Sequence, residues 1–211
     1  MPIKANKKII SEVMRIARQE LCALGMRKRT GEIYTCKLNE ETLGWIGLNR
    51  AIERGNGMLE INPVIGVRNQ SLEKVLSDIR GEKFHTYIPP STGIHLGYLM
   101  PQKDYVPWLF AEGKDNTAKV KDMVVTIMKY GKPFMKANDT LETLCDTMAN
   151  SKHGIPEQTA YRLPIAYFLL GERDKARKYL ATQLKELGNR TDLAAQQYRR
   201  FATEFSKRLN I

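Results

Sequence analysis

The sequence lacks the features that mark membrane-inserted and secreted proteins. No apolar run approaches the roughly 18 residues of a membrane-spanning helix, so no membrane span is expected. Glu12 and Arg15 interrupt the first apolar stretch, and a secretory signal is therefore not expected either. The three cysteines (Cys22, Cys36 and Cys145) are scattered and odd in number. Together these absences predict a cytoplasmic protein with reduced, mostly buried thiols.

Catalytic and metal-binding motifs are also missing. No GKS or GKT phosphate loop and no GxSxG elbow occurs, and Gly55-Asn56-Gly57 has no third glycine at the dinucleotide-binding spacing. The histidines His85, His95 and His153 stand in no HxH, HExxH or HxxxH arrangement, and no CxxC pair occurs. We therefore predict no catalytic residue, no metal and no cofactor. His95 is interpreted as a packed or half-exposed strand residue.

Positive charge is concentrated at both ends of the chain, and the net charge is +11. Residues 1–29 carry eight lysines and arginines against two acids, and residues 172–211 carry ten against five, so the middle is neutral. Two terminal helices lying side by side would form one basic surface, whereas helices lying apart would mainly aid solubility. The candidate binding residues on these helices are Arg15, Arg18, Arg199 and Arg200.

Hydrophobic periodicity predicts a helix followed by strands in the first half. Residues 5–24 place Ile9, Val13, Ile16, Ala17, Leu21 and Leu24 on one helical face. Four strands are expected, near residues 33–38, 43–52, 58–67 and 93–100, with a tight turn at 54–57. Pro63 suggests that the third strand lies at an edge or contains a bulge. A short helix is expected to begin near Ser71, its candidate N-cap.

The second half has a helical period. Helices are predicted near residues 116–130, 139–149, 157–169, 172–187 and 191–209. The expected fold is α+β, an antiparallel sheet of about four strands with the N-terminal helix, followed by a C-terminal helical subdomain. The change of period near residue 115 suggests domains at 1–115 and 116–211, or two halves of one continuous fold.

An aromatic cluster occupies the segment predicted to be irregular, residues 101–113. Tyr105, Trp108 and Phe110 lie there, with Tyr98 just before them. A tryptophan in such a segment either covers the open end of a sheet or contacts a ligand, and the first interpretation is favoured. Tyr105 and Trp108 are nevertheless included in the candidate binding surface.

Two patterns resemble known families. The spacing of Leu163, Tyr167, Gly171, Ala176, Leu180 and Leu184 resembles one tetratricopeptide-type helical hairpin, although Pro164 and Gln183 replace its usual small residues and no second copy follows. The second resemblance is to uncharacterised bacterial α+β domains of toxin–immunity and defence loci. It rests on a helix ending in Leu24-Gly25 followed by the segments at 61–67, 95–101 and 107–110. That resemblance covers about residues 5–150 and implies a small accessory protein that works by binding.

These observations favour a non-enzymatic, protein-binding accessory protein, with a toxin-neutralising immunity protein as its sharpest form. Such a protein acts by covering a partner with a complementary surface. The alternative is a nucleic-acid-associated protein that binds through its basic terminal helices. No helix-turn-helix, RNP-like or GxxG clamp motif supports that alternative. The sequence identifies neither the partner nor the oligomeric state.

Overall fold

The computed structural model describes residues 7–52, 58–150 and 156–209. Predictions that fall on the turn at 54–57 and on His153 lie outside these residues. The helices are α1 (Lys7–Ala23), α2 (Gln70–Arg80), α3 (Thr117–Thr126), α4 (Lys132–Ala137), α5 (Leu141–Asn150), α6 (Pro156–Leu169), α7 (Arg173–Leu187) and α8 (Leu193–Leu209). The strands are β1 (Arg27–Lys28), β2 (Ile33–Lys37), β3 (Thr42–Ile52), β4 (Leu59–Asn69), β5 (Thr92–His95) and β6 (Trp108–Phe110).

The α+β class is confirmed, but the prediction of about four strands is too low. Within the described ranges the sheet has six strands, in the order β1-β2-β3-β4-β5 with β6 also paired to β4. The two unpredicted strands, β1 and β6, span two and three residues, which is too short for an alternating pattern to show. The fourth predicted strand is shorter than expected, because β5 ends at His95 and a 3₁₀ turn follows over Leu96–Leu99.

Two local predictions around β4 are corrected. Of the two predicted settings for Pro63, the edge strand is wrong, since β4 has neighbours on both sides, and the bulge stays a prediction. The pairing of β4 with β6 ends at Ile61, before the proline that lacks an N–H group. The N-cap of α2 is Asn69 and not Ser71, because the Asn69 side chain accepts a hydrogen bond from the Leu72 amide at 2.9 Å.

The chain separates into two compact units, Met1–Val67 with Gly93–Ala137 and Arg68–Thr92 with Asn138–Ile211. In the first unit α1 packs against α3, and the predicted apolar face of α1 is buried except for Leu24, which lies past the helix end and is half exposed. A π-helical turn over Ile127–Gly131 approaches β4 closely, and a Cβ atom at Gly131 would lie 3.0 Å from the Ile65 side chain, which would have to shift to admit it. This turn interrupts the helix predicted over 116–130.

The second unit is built around a helical hairpin. Helix α6 packs against α2, α5 and α7, and α8 packs against α2, α6 and α7. Gly171 has a φ of +80° at the end of α6, where Glu172 donates to the Tyr167 carbonyl at 2.8 Å. This left-handed cap reverses the chain within three residues, so that α7 begins at Arg173.

Candidate functional site

A buried charged cluster organises the second unit. The Glu73 carboxylate receives two hydrogen bonds from Arg162, Nε to Oε1 at 2.6 Å and Nη2 to Oε2 at 3.0 Å. Arg68 Nη1 lies 3.5 Å from the same carboxylate. Arg68 also donates to the backbone carbonyls of His85, Thr86 and Pro89. All three charged side chains are buried, and burial lowers the pKa of Arg68 to about 10.

This cluster is a structural element rather than a binding site. Every nitrogen of the Arg68 guanidinium donates to a carbonyl of the segment that follows α2, so none is left to face a ligand. Arg68 lies in β4, yet its charged side chain is only 1 % exposed. A pattern of alternating polarity cannot show this, because an arginine looks the same in sequence whether it meets water or backbone carbonyls.

An apolar groove lies between α6, α7 and α8. It has a volume of about 310 Å³, at the lower end of the usual range for ligand clefts. Its apolar walls come from Ala160, Tyr161, Leu187, Ala194, Ala195 and Tyr198, and its polar rim from Gln183, Glu186 and Arg190. Leu184 and Leu193 on the same helices are exposed large apolar residues. We call this site the apolar groove.

The local sequence explains one polar feature of the apolar groove. Pro164 lies inside α6 and has no N–H to donate to the carbonyl of Ala160 one turn earlier. The Tyr198 hydroxyl donates to that carbonyl instead, at 3.3 Å. Burial raises the pKa of Tyr198, so the hydroxyl stays protonated and can act as a donor. A proline in the middle of a helix is a sequence signal that could have directed attention to this position.

A second groove lies between α2 and α8 and contains two arginines. It has a volume of about 200 Å³ and is lined by Ile79, Arg80, Glu82, Gln197, Arg200 and Phe201. Arg80 Nε pairs with Glu82 Oε1 at 3.0 Å, and the Arg80 guanidinium lies 5.0 Å from the centre of the Tyr161 ring. We call this site the arginine groove. Of its residues, sequence analysis had singled out only Arg200.

The other predicted basic residues are in different situations. Arg15 and Arg18 are exposed on α1 in the first unit, and Arg15 donates to Gln19 at 2.9 Å. Arg199 donates to the carbonyls of Arg190 and Gly188, at 2.7 and 2.8 Å, and so holds the turn between α7 and α8. Both alternatives for the terminal helices, one basic surface or two separate ones, stay open.

The two predicted aromatic residues also differ in their surroundings. Trp108 is 7 % exposed and lies in β6, where its indole N–H donates to Asp122 Oδ2 at 2.9 Å. Tyr105 is 46 % exposed, and its hydroxyl donates to the Glu60 carboxylate. Trp108 is therefore a packed residue of the first unit, and only Tyr105 presents a surface to solvent.

His95 lies at the end of β5 in a partly buried polar cluster. Its ring centre is 6.0 Å from that of Tyr105 and 6.5 Å from that of Tyr98. Within the described residues, His95 Nδ1 has no hydrogen-bond partner, and the same holds for both amide atoms of buried Asn62. The Asn62 side chain lies near the Tyr105 hydroxyl and acts to lower the pKa of that hydroxyl, but the two groups do not form a well-oriented hydrogen bond. Burial lowers the pKa of His95, which favours the neutral imidazole.

The lowered pKa of His95 predicts a pH dependence of stability. The unfolded chain binds a proton on this histidine below about pH 6.5, while the folded chain resists protonation. The free energy of unfolding is therefore unaffected by His95 above about pH 6.5, and it decreases as the pH falls from there toward the lower pKa of the folded state. We expect His95→Gln to reduce the loss of unfolding free energy between pH 7 and pH 5, measured by urea denaturation. His85→Gln, at an exposed side chain, is the control, and an equal loss in all three proteins would contradict the assignment.

The three thiols differ in exposure: Cys145 is buried, Cys36 is half-buried and Cys22 is exposed, so the prediction of mostly buried thiols is wrong. Burial raises the pKa of Cys145 to about 11 and also raises that of Cys36, so both thiols stay protonated at neutral pH. In the parts of the chain that the structure describes, no three His, Cys, Asp or Glu side chains are grouped to hold a metal ion. No helix in those parts is long and apolar enough to cross a membrane.

Comparison with known protein families, curated proteins and solved structures gives no match. The function is therefore inferred from the geometry of the chain itself.

Proposed function

We propose that this chain is a protein-binding module and that the apolar groove is its contact site. The observation that carries the proposal is an open groove of about 310 Å³ walled by two tyrosines, a leucine and three alanines. Tyrosines in such a setting supply large contact areas at a low cost in side-chain entropy. A toxin-neutralising immunity protein is the form of this proposal that the resemblance of residues 5–150 favours.

The alternative of nucleic-acid binding is weaker, because most basic side chains of α8 are already engaged. Lys207 pairs with Glu204 at 2.8 Å, and Arg208 donates to the Asp78 carbonyl at 3.1 Å. Arg199 is held by two backbone carbonyls. Binding along a phosphate backbone requires several cations that can approach it together, and α8 offers mainly Arg200 for this purpose.

The test is a selection of peptide ligands that depends on the apolar groove. A random twelve-residue peptide library displayed on phage is panned against the full chain, and enriched peptides are synthesised with a fluorescent label. Ala194→Trp fills the groove from an exposed position on α8, so the fold is expected to persist. We expect this change to weaken peptide binding by about tenfold or more, as loss of a central contact does.

Thr203→Trp is the matched control, since Thr203 is exposed on the same helix and does not line the groove. It should leave the affinity unchanged in an anisotropy titration. Failure to enrich any peptide would contradict the proposed function, as would peptides that bind Ala194→Trp as tightly as the unmodified chain.

A further inference from the structure

The two grooves of the second unit are neighbours along α8. Ala194, Ala195 and Tyr198 line the apolar groove, whereas Gln197, Arg200 and Phe201 line the arginine groove. Gln197 and Phe201 lie three positions after Ala194 and Tyr198, and side chains at that spacing are about 5–6 Å apart on a helix surface. Arg200 precedes Phe201 directly on the same helix. Helix α8 is thus a wall common to both grooves.

The Tyr161 ring also joins the two grooves. It lines the apolar groove, and its centre lies 5.2 Å from that of Tyr198 in the same groove. It also lies 4.9 Å from the centre of Phe201 and 5.0 Å from the Arg80 guanidinium, both of the arginine groove. One aromatic ring therefore separates an apolar site from a cationic one, and a single partner segment can reach both.

The arginine groove carries an excess of positive charge. Two arginines face one carboxylate, and Glu82 pairs with Arg80. Among the described residues, Arg200 has no hydrogen bond or ion pair of its side chain; its electrostatic neighbour Glu204 pairs with Lys207. The charges at the rim of the apolar groove are by contrast matched, since Arg190 pairs with Asp192 at 2.9 Å and Glu186 accepts from Gln183 at 2.7 Å.

Resting on the proposed function, we infer that the partner presents an acidic side chain close to an apolar one. The carboxylate enters the arginine groove between Arg80 and Arg200, and the apolar side chain enters the apolar groove. A carboxylate fits better than a phosphate monoester, because one net positive charge matches a monoanion and Glu82 would repel a dianion. The buried floor formed by Ile79 and Phe201 suits the methylene groups of a glutamate stem.

The two grooves share the wall of α8 and the Tyr161 ring, so the two partner residues are expected to be neighbours on one face of a segment. Neighbouring side chains on one face stand at i and i+2 of an extended segment and at i and i+3 or i+4 of a helix. Peptides selected at near-physiological salt should therefore combine Asp or Glu with a large apolar residue within four positions. Selected peptides without an enriched acidic residue would overturn the inference.

Arg200→Glu tests the acidic contact directly, because this side chain is exposed and makes no hydrogen bond or ion pair among the described residues. A charge-assisted hydrogen bond of this kind is worth about ten- to hundredfold in affinity, and we expect a loss of that size in anisotropy titrations of the selected peptide. Changing the acidic peptide residue to lysine should restore much of the binding to Arg200→Glu. Arg177→Glu, at an exposed arginine of α7 outside both grooves, should leave the affinity unchanged.

The outcomes separate this inference from the proposed function. Binding that Ala194→Trp abolishes and Arg200→Glu leaves intact would overturn the acidic contact while the protein-binding function stands. Binding that neither variant changes would overturn both. A short RNA could instead displace the labelled peptide at near-physiological salt as well as the unlabelled peptide does. That result would also overturn the inference, since it would show that the arginine groove binds phosphate.

Discussion

Glu73→Gln is expected to destabilise the protein by about 3–5 kcal/mol, the usual cost of removing one partner from a buried ion pair. The change keeps the size of the side chain and removes only its charge. Arg162 would then donate to a neutral amide, and the buried Arg68 guanidinium would lose its nearest anion. Burial lowers the pKa of Arg68, because a buried guanidinium is costly to keep charged, and the Glu73 carboxylate offsets part of that cost. Removing the carboxylate charge therefore destabilises the folded state.

The free energy of unfolding from urea denaturation at pH 7 measures this effect. Asp174→Asn is the control, because it removes one partner of an exposed ion pair with Arg177 and should cause no measurable change. A decrease of less than about 1 kcal/mol in the free energy of unfolding of Glu73→Gln would show that the two arginines do not depend on this carboxylate.

Ile16→Asp is expected to destabilise the protein by more than about 3 kcal/mol, because it places a carboxylate in the interior. Ile16 is 6 % exposed on the face of α1 that is buried in the first unit, where α1 packs against α3. Should this variant fail to accumulate, Ile16→Ala provides a milder change of about 2–4 kcal/mol.

Thermal and urea denaturation of these variants decide whether α1 is docked. Ser11→Asp, at an exposed position of the same helix, should melt close to the unmodified chain. An Ile16→Asp protein with an unchanged melting temperature would show that α1 is not part of the folded unit.

Sequence periodicity predicts the longer elements of this fold well. Helix α1, strands β2 to β4 and the helices from α5 onward lie within a few residues of their predicted limits. The helices present a repeated apolar spacing, which follows from the burial of one face, whereas β3 and β4 are buried on both faces over most of their length. Periodicity does not record pairing or close packing between separate segments. It therefore misses the short strands β1 and β6, which depend on pairing, and the π-helical turn at Ile127–Gly131, which packs closely on β4.

The candidate site was less predictable than the fold. Arg200 was singled out from the charge of the last helix, but Tyr161 and Arg80 were not, because their proximity depends on the packing of α2 against α6. Arg199 was predicted as a binding residue, although its guanidinium donates to two backbone carbonyls. The partners of a side chain, and not its charge, decide whether it can reach a ligand.

The most direct test of the account compares two ligands in one titration at near-physiological salt. The labelled selected peptide and labelled duplex DNA or single-stranded RNA are each titrated with the full chain, and the titrations are repeated at low salt. The account predicts peptide binding that persists at the higher salt and is lost in Ala194→Trp, with nucleic acid retained only at low salt. The account is contradicted by sub-micromolar nucleic-acid binding that persists at near-physiological salt and is abolished when Arg15, Arg18 and Arg200 are changed to glutamate.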